Sequence, residues 1–191
     1  VTRIPSRPNQ PTIWAISEYY EPNFSGAAIQ AQRILSRLAA NGYSIHVLTA
    51  ADQAARPLAG RERLAQGVHI HYVPVMVRRD WSKTNSVPAL EHIARSANEL
   101  LRDWSFHRHV LRILRRRARP GDIVQWYIVG EFTWTVIRMA RRQRWRNVIQ
   151  ISLIGADDPS SLPTGRLGIS TALKRYCFRQ ADRVIGLSRA L

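Results

Sequence analysis

Thr12-Ile-Trp-Ala-Ile-Ser17, then Glu18-Tyr-Tyr-Glu-Pro-Asn-Phe-Ser25, then Gly26 through Ala50, is the stretch whose reading decides the fold. The first piece is short, apolar and β-prone, and the polar cluster after it ends a strand. From Gly26 on, residues set 100° apart place Ala27, Ala28, Ala31, Ile34, Leu35, Leu38 and Ala39 on one arc of a helix, with Gln30, Arg33, Ser36 and Arg37 on the other. Ser25 suits the N-cap, and Gly42 suits the position just past the helix end. Ser44-Ile-His-Val-Leu-Thr49 follows at once, so strand, helix and strand form one right-handed βαβ unit.

Chemistry in such a unit gathers where the first strand ends and the helix begins, because the unpaired N–H groups of the first helical turn favour an anion. Gly26 has no Cβ, so backbone can approach a ligand closely there. Ser25, Gly26 and Ala27 are therefore the candidate phosphate-binding residues. The plainer reading, that Gly26 only makes the turn, stays open: one glycine is far less specific than G-x-G-x-x-G, and neither that fingerprint nor a Walker loop occurs in the chain.

Outward from this unit, Ala51 to Gln66 reads as a polar, basic connection, and Val68-His-Ile-His-Tyr-Val-Pro-Val75 alternates as a third strand. His69 and His71 share one face of it and read as solvent-facing partners to the inward Ile70 and Tyr72; no third ligand is in view for a metal. Met76 to Val87 has no core pattern and forms a basic loop with Arg78, Arg79 and Trp81. Pro88 opens a helix with apolar spacing as far as Trp104, and a second helix runs from His107 to Ala118. On that second helix Arg112, Arg115, Arg116 and Arg119 lie opposite Val110, Ile113, Leu114 and Ala118. A basic amphipathic helix can meet anionic lipid or simply present a solvated face, and both readings stand.

Pro120-Gly121 ends it, and Asp122 to Val129 reads as a buried fourth strand with Gly130 and Glu131 at its carboxyl end. The next helix buries Phe132, Val136, Met139 and Ala140 and turns Trp134, Arg138 and Arg141 outward. Asn147 to Ile154 is a fifth strand, followed by a loop with Gly155, Asp157, Asp158 and Pro159, a basic helix over 169–180 and a sixth strand, Asp182 to Ser188. The chain stops where another helix is due, which reads as a cut through a longer protein.

The 191 residues are 45% hydrophobic, enough for one globular domain over 12–191 behind a proline-bearing flexible tail over 1–11. No window approaches a membrane span, and the tail lacks the apolar core of a signal peptide. A lone Cys177 excludes an internal disulfide and suits a reducing compartment, so the expected location is cytoplasmic. The net charge of +16 calls for an anionic partner or surface: phosphate-bearing ligands, an anionic membrane face or nucleic acid. An arginine-rich proteome gives the same balance without a binding role. Nucleic acid has the weakest case, because no helix-turn-helix, RNP or zinc module is present to read it.

Six strands separated mostly by helices specify an α/β fold with an open, doubly wound, Rossmann-like parallel sheet in the order 3-2-1-4-5-6. The first and fourth strands are then neighbours, so the Ser25-Gly26 loop, the Gly130-Glu131 end and the loop after the fifth strand share one crevice.

These stretches resemble the amino-terminal domain of GT-B glycosyltransferases, especially the retaining family 4. The resemblance rests on Glu18-Tyr-Tyr-Glu-Pro-Asn-Phe-Ser-Gly-Ala-Ala-Ile-Gln30, Asn41-Gly-Tyr-Ser-Ile-His-Val-Leu-Thr-Ala50, Gly121-Asp-Ile-Val124 and Ala181-Asp-Arg-Val-Ile-Gly-Leu-Ser188. It implies half of a two-domain enzyme that moves a sugar from a nucleotide-sugar to a lipid-linked or polysaccharide acceptor, in cell-envelope or exopolysaccharide synthesis, at the cytoplasmic membrane face. The donor is then held mainly by a missing carboxyl-terminal domain, and this domain supplies the acceptor side. By the same resemblance the Gly26 loop meets the donor diphosphate, Tyr19, Tyr20, Asn23 and Phe24 border the acceptor, and neither cofactor nor metal is needed.

Two departures accompany it. Ser25 stands where the family often has a first glycine, and Ile154 stands before Gly155 where many members carry a histidine that contacts the transferred sugar. An aliphatic side chain cannot shuttle a proton. Either Asp157 or Asp158 serves as the catalytic group instead or activity is reduced, and Asp-Asp-Pro is also good turn chemistry. Glu131 and Gly155 are candidates for the acceptor side, and Glu131 is equally suited to cap its helix. The rival reading is a basic peripheral membrane module without catalysis of its own, built on Arg78, Arg79, Trp81, Arg112, Arg115 and Arg116.

Overall fold

The computed structural model describes residues 10–22, 26–51, 53–76, 88–151 and 169–186. Four strands and a helix carry the βαβ core: β1 (Ile13–Ile16), α1 (Gly26–Ala40), β2 (Ile45–Ala51), β3 (Glu62–Ala65) and β4 (Val68–Pro74), with a short 3-10 helix at Gln53–Leu58. Then come α2 (Pro88–Arg117), β5 (Ile123–Trp126), α3 (Thr133–Gln143), β6 (Arg146–Gln150), α4 (Ile169–Gln180) and β7 (Arg183–Ile185). The sheet order is β3-β4-β2-β1-β5-β6-β7. Every neighbouring pair is parallel except β3 with β4.

The order expected from sequence is thus present as β4-β2-β1-β5-β6-β7, with one strand added at the edge. Sequence pattern assigns Glu62–Ala65 to the polar connection because three of its four residues are exposed and no apolar alternation marks it. What makes it a strand is the turn after it. Gln66 (φ 51) and Gly67 (φ 78) both have positive φ, the geometry of a two-residue hairpin. Gly67→Ala is expected to cost about 1–2 kcal/mol, since its Cβ would lie 3.3 Å from the Ala39 Cβ at a φ that disfavours side chains. Urea denaturation checks it, and an unchanged midpoint would contradict it.

Side-chain alternation along the strands splits the core into two layers. Ile13, Ala15, Ile45, Val47, Val68, Ile70 and Tyr72 pack with Ala31 and Leu35 of α1 on one face. Trp14, Ile16, Leu48, Val124, Trp126 and Ile149 pack with Phe106, Val110 and Leu114 of α2, Val136 and Ile137 of α3, and Cys177 of α4 on the other. The end of α1 follows the sequence reading. Gly42 (φ 88) donates its N–H to Ala39 O at 3.0 Å, and Tyr43 donates to Leu38 O at 3.2 Å, the paired bonds of a Schellman cap.

Two expectations need correction here. The helices expected on either side of Trp104 and His107 are one helix, α2. No glycine or proline interrupts it, and Ser105 directs its hydroxyl back to Arg102 O at 2.9 Å rather than breaking the turn. Trp134 is not turned outward; it is half-buried against the core, while Arg138 and Arg141 are exposed as expected.

His71 is a third correction. Only His69 faces solvent, whereas His71 is 3% exposed. Register places Trp14, His46 and His69 side by side across three strands. Their rings stack at 4.4 Å (Trp14 to His46) and 4.8 Å (His46 to His69). His46 Nδ1 lies 2.9 Å from His71 Nε2, and His71 Nδ1 lies 3.2 Å from Glu62, which also meets Arg117 at 2.6 Å. Burial, then the neighbouring His71 and His69, pushes the His46 pKa from 6.5 down to about 4. Burial likewise lowers that of His71.

Asp122 and Asp182 explain why two quoted motifs place an aspartate just ahead of a strand. The Asp122 carboxylate accepts from the Thr12 and Arg119 N–H groups and from Trp14 Nε1, at 3.0, 2.8 and 3.1 Å. Asp182 accepts from Asn147 N at 2.6 Å. Each ties the start of its own strand to that of the neighbour, so these backbone donors are not left unpaired.

Candidate active site

β1 pairs with β5 in parallel register, Ile13 with Ile123 through Ile16 with Trp126. The loops leaving these two carboxyl ends therefore flank one crevice, as the strand order implies. α2 lies over it on the face opposite α1.

The β1–α1 wall is held at several points. Ser17 Oγ donates to Tyr19 O at 2.8 Å, and Glu18 O accepts from Ala50 N at 3.3 Å. The Glu18 carboxylate meets Arg102 of α2 at 2.8 Å, and the same guanidinium lies 5.6 Å from the centre of the Tyr19 ring. Glu21 lies within reach of Arg63 at 3.7 Å and of Gln32 Nε2 at 3.4 Å. Tyr20, expected beside Tyr19 at the acceptor, is instead 2% exposed and packs in the α1-side core with Tyr72 and Tyr127. Burial, then the charge of Glu21, raises its phenol pKa. The chain bends at Glu18 and Tyr19 past the end of β1, leaving Tyr20 buried and Tyr19, 40% exposed, under the Arg102 guanidinium.

On the other wall, Gly130 follows Trp126 and Tyr127, and α3 begins at Thr133. The amides just ahead of it are bonded within the protein. Asp103 of α2 accepts from the Phe132 N–H at 3.2 Å, and Gly130 N donates to Thr133 Oγ1 at 2.9 Å. His107, one helical turn beyond Asp103, lies 2.8 Å from its carboxylate and 3.0 Å from Thr133 Oγ1. Burial raises the Asp103 pKa, but the hydrogen bond and charge of His107 and the Phe132 and Glu131 N–H groups outweigh it, so the net shift is downward. Gly130 is what admits this carboxylate: a Cβ there would sit 2.8 Å from Asp103 Oδ1.

The first turn of α1 differs. Gly26 is exposed, and nothing lies within 4 Å of where its Cβ would sit among the described residues. Of two helix N-termini bordering the crevice, that of α3 thus meets an internal carboxylate at its N-cap amide, while that of α1 begins at an exposed glycine.

Glu131 is half-buried at the crevice edge. Arg112, Arg115 and Arg116 lie exposed on α2 well along from Arg102, away from the crevice. Ser25, Asn23, Phe24, Arg78, Arg79, Trp81, Gly155, Asp157 and Asp158 lie outside the described residues, as does Ile154. Arg102, Asp103 and His107 are the crevice residues that sequence reasoning misses. The Asp103-Trp-Ser-Phe-His107 spacing, which puts acid and imidazole on one helical face, was the available signal.

No curated protein matches the chain. The sequence model of the glycosyl transferase 4-like domain matches residues 25–191, spanning α1 through β7 and starting after β1 and the segment over 18–21, so the chain belongs to the glycosyl transferase 4-like family.

Proposed function

We propose that this domain forms the acceptor side of an enzyme that moves a sugar from a nucleotide-sugar to a lipid-linked or polysaccharide acceptor, with the donor diphosphate seated on the first turn of α1. The observation that supports this reading is the exposed Gly26 at the start of α1, where nothing among the described residues lies within 4 Å of the place a Cβ would take. The N–H end of a helix stabilises negative charge, and the charge on a diphosphate leaving group grows as its bond to the sugar breaks. Tyr19 and Glu131 then flank the acceptor, and Asp157 or Asp158 is the candidate group for the proton of its attacking hydroxyl. On this reading the nucleotide end is held by a second domain, and Val1–Leu191 alone turns over no donor.

Titration with pyrophosphate tests the seat. Gly26→Ala is expected to bind as the parent does, because its methyl enters open space. Gly26→Glu is expected to weaken binding about tenfold or more by placing a carboxylate on the same amides. Equal affinity in both variants would remove the seat, and absence of donor turnover once a donor-binding domain is joined would remove the transferase reading.

An acceptor carried in a membrane is favoured by the outer side of α2. Leu100 (49% exposed), Leu101 and Trp104 lie there with Arg108 over the Trp104 ring at 5.2 Å and Arg112, Arg115 and Arg116 beyond. An apolar patch continuous with guanidinium groups suits an anionic bilayer surface. Among the described residues no helix is long and apolar enough to cross a membrane.

A further inference from the structure

Arg102 and Asp103 are consecutive residues of α2, and their side chains leave the helix about 100° apart. Each takes a different wall of the crevice. Arg102 grips the β1–α1 wall through the Glu18 carboxylate at 2.8 Å and the Tyr19 ring at 5.6 Å. Asp103 grips the β5–α3 wall through the Phe132 N–H at 3.2 Å, close against Gly130. We propose that this pair is a crossbar: a positioning element that fixes the gap between the two walls, and with it the placement of Tyr19 relative to Glu131.

The functional meaning of the crossbar rests on the glycosyl-transfer reading, while its mechanics do not. Both grips are shielded, with side-chain exposures of 21% and 16% for Arg102 and Glu18, and 12% and 3% for Asp103 and His107. Pairs this shielded are weakened little by salt, unlike surface pairs. The bar itself is stiff, because Phe106, Val110 and Leu114 anchor the following turns of α2 in the core. A helix cannot lengthen between adjacent residues, so displacing one wall must pull on the other through a single peptide unit. Arg102 acts through two features at once, an edge that pairs with carboxylate and a face that lies over an aromatic ring. Lysine can supply only the charge.

Hydrogen exchange of the whole chain, read by mass spectrometry, tests the proposal with Arg102→Gln, Arg102→Lys and Asp103→Asn. Arg102→Gln is expected to speed exchange about tenfold over residues 13–22, and Asp103→Asn about tenfold over residues 127–135. Each is expected to raise exchange in the opposite wall by a smaller factor, while β2 and β4 keep their rates. Arg102→Lys is expected to recover part of the protection. Variants that loosen only their own wall would reduce the pair to two separate anchors and overturn the crossbar; so would rates that rise everywhere together, or not at all. Pyrophosphate added to the same experiment should slow exchange over residues 26–30. Failure there removes the phosphate seat and leaves the exchange result for the crossbar standing.

Discussion

Asp103→Ala is expected to lower the stability of the chain by about 3 kcal/mol, the cost of taking a buried carboxylate away from the polar groups that face it. The substitution removes the carboxylate 2.8 Å from His107, which keeps the Asp103 carbonyl and Thr133 Oγ1, and takes the acceptor from the half-buried Phe132 N–H at the start of α3. For a chain of this length the melting temperature should fall by about 6–12 °C. Denaturation in urea at pH 7.5 measures it, and a loss below about 1 kcal/mol would mean that water replaces the carboxylate freely. Gly26→Ala, at the first residue of α1, should leave the midpoint nearly unchanged. That contrast separates a carboxylate bonded inside the protein from a glycine that borders open space among the described residues.

The second large effect is a loss of stability in mild acid centred on His46. Its folded pKa, about 4, lies below the ordinary value of 6.5, so the unfolded chain takes up a proton first. Stability from this group is fully present above about pH 6.5, falls as pH drops, and is gone below about pH 4. After allowance for the partial exposure of the ring, the difference is about 2 kcal/mol. His71, depressed in the same direction, and Asp103, a carboxylate with a lowered pKa, add to the loss at lower pH. His69, Glu62 and Arg117 surround the pair, and Glu62 alone opposes the trend by favouring protonated imidazole. His46→Gln should flatten the urea midpoint between pH 7.5 and 5. An equally steep fall in that variant would place the sensitivity elsewhere.

Sequence pattern gives the parallel sheet and its order because β1 and β5 are buried, short and mostly apolar, while β2 and β4 are β-prone runs bounded by turn residues. β3 escapes it because an edge strand with exposed Leu64 needs no such run, and because Gln66-Gly67 is a weaker hairpin mark than Asn-Gly. α2 reads as two helices because its apolar stripe drifts around the surface where its role changes, from lining the crevice at Asp103 to covering the sheet at Leu114. The crevice itself is half legible. Gly26 and Tyr19 sit on a loop whose composition announces a turn, whereas Arg102 and Asp103 lie inside a helix where charge ordinarily means a solvated face. Only the approach of Gly130, 27 residues later, gives the Asp103 carboxylate its partner amides.

Cys177 is the single cysteine of the sequence, fully enclosed in the core beneath α4, and burial pushes its thiol pKa up to about 12. A thiol both walled off and protonated at neutral pH resists alkylation. The natural chain is therefore already a silent background for maleimide chemistry. One cysteine introduced at an exposed position would carry a fluorophore or spin label alone, without first removing the native sulfur.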